Sequence, residues 1–217
     1  MESTEAKQAR VIEILRILRG LYPGAKLALA FSNPLELLVA LLLAAQARDE
    51  LVNSVTAPLF RKYRSAADWA DLPEEVLQED LRRINFYRNK TRAIQKVCRA
   101  LVDRFGGEVP DRLDDLLSLP GVGRKTANIL LGNAFGQPTI GVDTHVGRVS
   151  GRLGLTTQTN PDKIEAELLG LVPRADRVAF CHLLQAHGRA VCTARNPDCP
   201  HCALRELCPY PQQHSKP

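Results

Sequence analysis

The run LELLVALLLAAQ, Leu35 to Gln46, constrains this chain more than any other stretch. It is apolar on almost every face of a helix, and such a helix must be surrounded by other elements. Its 12 residues would span only about 18 Å, too short to cross a bilayer. It therefore reads as the core helix of a folded domain. The preceding SNP supplies the start: Asn33 can cap, Pro34 suits the first helical position, and Glu36 falls three residues after the cap. The pattern carries this helix to about Arg48, with a further helical run from about Asn53.

The remaining sequence supplies the neighbours. Residues 6–21 carry Val11, Ile12, Leu15, Ile17 and Leu18 at helical spacing. Further helices are expected over 66–70, 73–82, 89–105, 113–118, 124–135, 162–171 and 177–187, and no stretch alternates as a strand would. The expected fold class is all-α. There is no fixed-period repeat, low-complexity tract or long linker, and only the terminal PYPQQHSKP reads as frayed. A composition 45% hydrophobic and 24% charged is that of a soluble globule. Met1 to Arg10 is polar and lacks a secretory pattern, so a cytoplasmic protein with no membrane segment is expected. Net charge of +5 leans modestly toward polyanionic partners.

The stretch LPGVGRKTA, Leu119 to Ala127, joins a short helix to a longer one through a glycine turn. Glycines there let backbone N–H groups approach a ligand, and the second helix offers its N-terminus, a natural place for phosphate. The same pattern also suits a turn with no ligand. Nucleotide-loop motifs do not fit: Arg124 precedes the lysine where glycine is required, and Thr126 occupies the third position of G-x-G-x-x-G. Lys125 falls in the first helical turn beside Arg124, where the macrodipole and a neighbouring cation both disfavour an ammonium. A lysine acting as a nucleophile needs that disfavour, because only the free amine attacks carbon.

Four of six cysteines fall in CTARNPDCPHCALRELC, spaced C-x₆-C-x₂-C-x₅-C at Cys192, Cys199, Cys202 and Cys208. In an intracellular chain such a cluster reads as a metal site, and its spacing alone leaves zinc and an iron–sulfur cluster open. Four thiols complete a ligand set, so His201 is expected to face solvent. Cys98 and Cys181 lie in helical patterns and read as small core residues.

LPGVGRKTAN followed by PTIGVDTHVGRV (138–149), with AQARDELVN (45–53) and the cysteine array, resembles the endonuclease III family of helix-hairpin-helix DNA glycosylases. The resemblance extends over nearly the whole chain. It implies removal of oxidised pyrimidines from double-stranded DNA, then strand cleavage at the abasic site by β-elimination through a lysine Schiff base. Lys125 matches the nucleophile. Asp143 matches the aspartate that supports the lysine and the cationic sugar, although an Asp before THVGRV is equally a natural N-cap. The two roles are compatible.

The resemblance further places Gly121, Val122, Gly123 and Arg124 at a DNA phosphate, and Gln46 where a side chain enters the duplex after the damaged base leaves. Phe86 stands at the family's wedge position. Arg148 and Arg152, four residues apart on one helical face, both read first as solvated surface, with Arg148 the candidate phosphate contact. For the cysteines it selects a [4Fe–4S] cluster, with Arg189, Arg195 and Arg205 presented toward DNA. The expected partner is DNA carrying oxidised pyrimidines or abasic sites, met by a monomer in the nucleoid-associated cytoplasm.

Two departures stand out. Asn85 replaces a turn glycine, and Arg48 replaces a smaller polar residue beside Gln46. Asparagine tolerates left-handed backbone best after glycine, so the turn is expected to survive the replacement. The expected architecture is two helical domains with a DNA-binding cleft between them. One is barrel-like and spans 27–137 with the hairpin; the other combines 1–26 with 138–217 and carries the cluster loop. Lys125 and Asp143 are expected to face each other across that boundary. Two alternatives are a monofunctional mismatch glycosylase, whose members typically lack the lysine, and a non-catalytic DNA-binding module with a structural metal.

Overall fold

The computed structural model describes residues 2–211. All regular structure among them is helical: α1 (Thr4–Leu21), α2 (Pro34–Ala44), α3 (Asp49–Lys62), α4 (Ala66–Ala70), α5 (Glu74–Leu81), α6 (Tyr87–Phe105), α7 (Leu113–Leu117), α8 (Arg124–Ala134), α9 (Thr144–Arg152), α10 (Pro161–Leu171) and α11 (Arg177–Ala190). Short 3₁₀ turns cover Arg174–Asp176 and Arg205–Leu207. No helix among the described residues is long and apolar enough to cross a membrane. Most of the segment expected to fray, from Gln212 onward, lies outside the described residues.

The chain divides into two compact units, Leu27–Gln137 and the combination of Met1–Lys26 with Pro138–Pro217. In the first, α2 is the core helix its composition demands. Leu37, Leu38, Val39, Ala40 and Leu43 are buried, and Leu35, Leu41 and Leu42 pack partly buried against the same core. Around them gather Val52 and Leu59 of α3, Trp69 of α4, Leu77 and Leu81 of α5, and Ile94 and Leu101 of α6. Trp69 meets Tyr63 edge-on at 5.1 Å between ring centroids, a favoured aromatic geometry.

The start of α2 is as its sequence dictates: the Asn33 side chain accepts from the Glu36 N–H at 2.9 Å. The Glu36 carboxylate, however, returns to the N–H and hydroxyl of Ser32 rather than to the cap residue. Its end differs more. The helix stops at Ala44, four residues before Arg48, and α3 begins at Asp49 rather than near Asn53.

The second unit buries Val11, Ile14 and Leu18 of α1 with Val146 and Val149 of α9, Ile164 and Leu168 of α10, and Phe180 and Leu184 of α11. Cys181 belongs to this core and Cys98 to the other, as small apolar residues. Burial pushes both thiols up to about 12.

Candidate DNA-processing site and cysteine centre

In the 27–137 unit, α7 and α8 form the hairpin. Leu119 and Val122 are buried and anchor the turn, and the Val122 N–H donates to the Leu119 carbonyl at 3.2 Å. Gly121 has φ 78°, a left-handed conformation that a side chain would strain. Gly121 and Gly123 are exposed, so of the three turn residues assigned to phosphate, Val122 serves the turn itself. Gly123 occupies the N-cap of α8 and offers no side chain to its first-turn N–H groups. Such an end is a ready anion site. Arg124 opens the helix half-buried, and Lys125 follows it exposed.

Two other residues assigned to DNA share an unusual backbone. Gln46, two residues past the end of α2, has φ 56°; Phe86, the N-cap of α6, has φ 59° and is 61% exposed. They are the only non-glycine residues with positive φ among those described. Each such conformation costs about 1–3 kcal/mol and collects at functional sites. The left-handed residue is thus Phe86, not Asn85. Asn85 instead donates its side-chain amide to the Gln46 carbonyl at 3.4 Å, joining the two turns. Arg48, the second departure, is exposed at the N-cap position of α3 and makes no side-chain cap.

The residue that sequence reasoning missed here is Lys90. It is only 7% exposed, and its Nζ donates to the carbonyls of Leu43 at 2.8 Å and Ala45 at 2.6 Å. Burial lowers its pKa. No local pattern marks it, because its acceptors lie more than 40 residues away.

In the other unit, Asp143 is the N-cap of α9, accepting from the Val146 N–H at 2.7 Å. It is half-buried beside His145, whose pKa is lowered by burial against the opposing charge of Asp143, with Arg148 and Arg189 adding to the depression.

Arg148 turns inward, which corrects its assignment to phosphate. Nη2 donates to the Gly188 carbonyl at 2.9 Å and to that of Cys192 at 3.1 Å, and Nε to Cys192 at 3.2 Å. These carbonyls lie at the C-terminal end of α11, where a cation is favoured. Arg152 is likewise not a solvated surface residue. It donates to the carbonyls of Thr193 at 2.7 Å and Ala194 at 2.8 Å, contacts the Cys192 Sγ at 3.3 Å, and lies 4.6 Å from the Tyr210 ring centroid. The cations left exposed on this segment are Arg189, Arg195 and Arg205.

Cys192, Cys199, Cys202 and Cys208 all line one pocket. Among the described residues no three His, Cys, Asp or Glu side chains are drawn together tightly enough for a single metal ion. Burial raises the Cys202 and Cys208 thiols. Cys202 Sγ lies 3.5 Å from Nε2 of the buried His187, whose Nδ1 lies 3.3 Å from the Tyr22 hydroxyl. His201 points to solvent, as expected, and pairs with Asp198 at 2.8 Å. Four soft thiols around a shared pocket, with inward-turned arginines bracing their loop, fit a metal–sulfur group.

A glycine hairpin opening an uncapped helix, an exposed first-turn lysine and a four-cysteine pocket in an all-helical chain define a helix-hairpin-helix DNA-repair protein. The model of the HhH-GPD superfamily base excision DNA repair proteins matches residues 39–174. Endonuclease III of Synechocystis sp. is 48% identical over 208 residues, 95% of each chain. Endonuclease III of Escherichia coli K12 is 42% identical over 206 residues, 95% of this chain and 98% of its own. A solved trapped endonuclease III–DNA covalent intermediate, in an estranged-adenine complex, superposes with TM-score 0.89 at 42% identity, covering 96% of this chain and 99% of its own. The chain belongs to the endonuclease III family. It is a DNA glycosylase and abasic-site lyase of base-excision repair.

Proposed function

We propose that this chain excises oxidised pyrimidines from double-stranded DNA and then cleaves the strand at the abasic site it has made. The observation that carries this reading is Lys125, exposed in the first turn of α8 directly after an uncapped glycine turn. That end of α8 binds a phosphate of the damaged strand and fixes the sugar within reach of the lysine. The Lys125 amine attacks C1′ as the base leaves, and ring opening gives a Schiff base between Nζ and C1′. Loss of a C2′ proton then expels the 3′ phosphate. The covalent intermediate trapped for a relative supports a nucleophile of this kind.

Asp143 has a different task. Base loss builds positive charge on the sugar, and a fixed carboxylate offsets it. Its N-cap bond holds that carboxylate in one orientation. Gln46 and Phe86, exposed and held in left-handed turns, enter the duplex where the damaged base has left the stack. Cys192, Cys199, Cys202 and Cys208 would hold a [4Fe–4S] cluster. Bound there, it would brace the loop that carries Arg195 and Arg205, while base removal rests on Lys125 and Asp143. The protein works as a monomer, at the nucleoid in the cytoplasm.

The test is the fate of the strand. On duplex DNA carrying thymine glycol, base release and strand cleavage should proceed together without added alkali. Release of the base with an intact abasic strand would make the protein monofunctional. Binding with neither product would make it a module with a structural metal.

A further inference from the structure

One side chain supports both left-handed turns of the 27–137 unit. Lys90 sits in the first turn of α6, where its own N–H donates to the Phe86 carbonyl at 3.1 Å. Its Nζ reaches back to the carbonyls of Leu43 and Ala45, at the end of α2 and directly before Gln46. Helix α2 cannot satisfy these acceptors itself, since the last carbonyls of any helix lack intrahelical partners. Asn85, next to Phe86, completes the link through the Gln46 carbonyl. A buried ammonium is costly unless its donors are used, and here the negative end of α2 and two short bonds offset that cost.

We propose that Lys90 is a positioning residue: by pinning the end of α2 it presents Gln46, and with it the Phe86 turn, to the duplex in one fixed geometry. The proposal rests on the reading that Gln46 enters the duplex. Without Nζ, the carbonyls of Leu43 and Ala45 lose their donor, and residue 46 relaxes toward the commoner right-handed or extended backbone. The loss falls on the step in which the base leaves the stack.

The test is a double-mutant cycle with the full chain, pairing Lys90→Met with Gln46→Ala on thymine-glycol duplex under single turnover. A fluorescent purine analogue opposite the lesion reports unstacking, whether or not chemistry follows. Lys90→Met is expected to slow base release about tenfold when Gln46 is present and less than about twofold when it is alanine, because the two residues act as a unit. The fluorescence rise on binding should shrink in parallel.

Equal losses in both backgrounds, or an unchanged rise for Lys90→Met, would overturn the proposal. If Lys90→Met loses its helical circular dichroism, Lys90→Arg replaces it. Its wider head cannot reach both carbonyls in the same way, and the same non-additivity is expected. A wild-type chain that unstacks the lesion but releases no base would refute the proposed activity, while the fluorescence still decides the role of Lys90.

Discussion

Arg148 and Gly188 lock α9 to α11: Nη2 of Arg148 donates to the Gly188 carbonyl at 2.9 Å. The approach is so close that a Cβ at position 188 would lie 3.1 Å from that nitrogen and 2.9 Å from Nδ1 of His145. Only glycine leaves room. Gly188→Ala should therefore destabilise the protein by about 1–3 kcal/mol, the usual range for overpacking. Urea unfolding of variant and wild type measures this, and an unchanged midpoint would show that the helices separate freely.

Asp143 invites a comparison of two substitutions. Asparagine caps a helix about as well as aspartate, so Asp143→Asn should keep stability within about 0.5 kcal/mol. In the proposed mechanism it removes the charge that offsets the developing sugar cation, and base release should fall about 10²–10³-fold. Asp143→Ala should add a stability loss of about 1 kcal/mol to a similar kinetic loss. Single-turnover base release beside thermal melting separates the two roles.

Arg152 holds the beginning of the cysteine loop through Thr193, Ala194 and Cys192. With the proposed cluster bound, Arg152→Ala should release iron about tenfold faster to a chelator, the scale of effect seen when groups supporting metal ligands are removed. Arg152→Lys should not restore retention, because a compact ammonium lacks the planar fork whose Nη1 and Nη2 serve the Thr193 and Ala194 carbonyls separately. Iron content against time after chelator addition checks both.

Cys98 sets a pH dependence. Its folded pKa of about 12 lies above its ordinary value of 9.0, so between these values the folded state keeps a proton that the unfolded state has lost. The stabilisation from the buried neutral thiol is complete below about pH 9 and declines as pH rises toward 12, by up to about 1.4 kcal/mol per unit. Cys98→Ala should lower stability below about pH 9 and flatten the decline over that window, so that the two curves converge as pH rises. Unfolding free energies measured under reducing conditions at several pH values test it, and parallel curves for the two proteins would contradict it.

The helices were legible because their signals are local. Asn33 and Pro34 lie next to the run they start, and the apolar spacing of α1 and α6 repeats within a few turns. The hairpin and the four cysteines were legible for the same reason: each is a short spacing. What escaped was set at a distance. Helix α2 reads as continuing to Arg48, yet it ends at Ala44, where an ammonium from position 90 takes its last carbonyls. Arg148 and Arg152 read as surface cations until the carbonyls they serve, some 40 residues later, are brought beside them. At the Asn85-Phe86 pair, intrinsic preference names Asn85 for the left-handed position, but the Asn85 amide is engaged with Gln46 and Phe86 bears the strain.

In the proposed mechanism Lys125 forms a covalent bond to the sugar. Borohydride trapping on duplex DNA carrying thymine glycol, with wild type beside Lys125→Gln, tests it most directly. A covalent protein–DNA adduct in wild type alone, with DNA affinity largely retained in the variant, is the predicted result. An adduct formed by Lys125→Gln at the wild-type rate would assign the Schiff base to another amine.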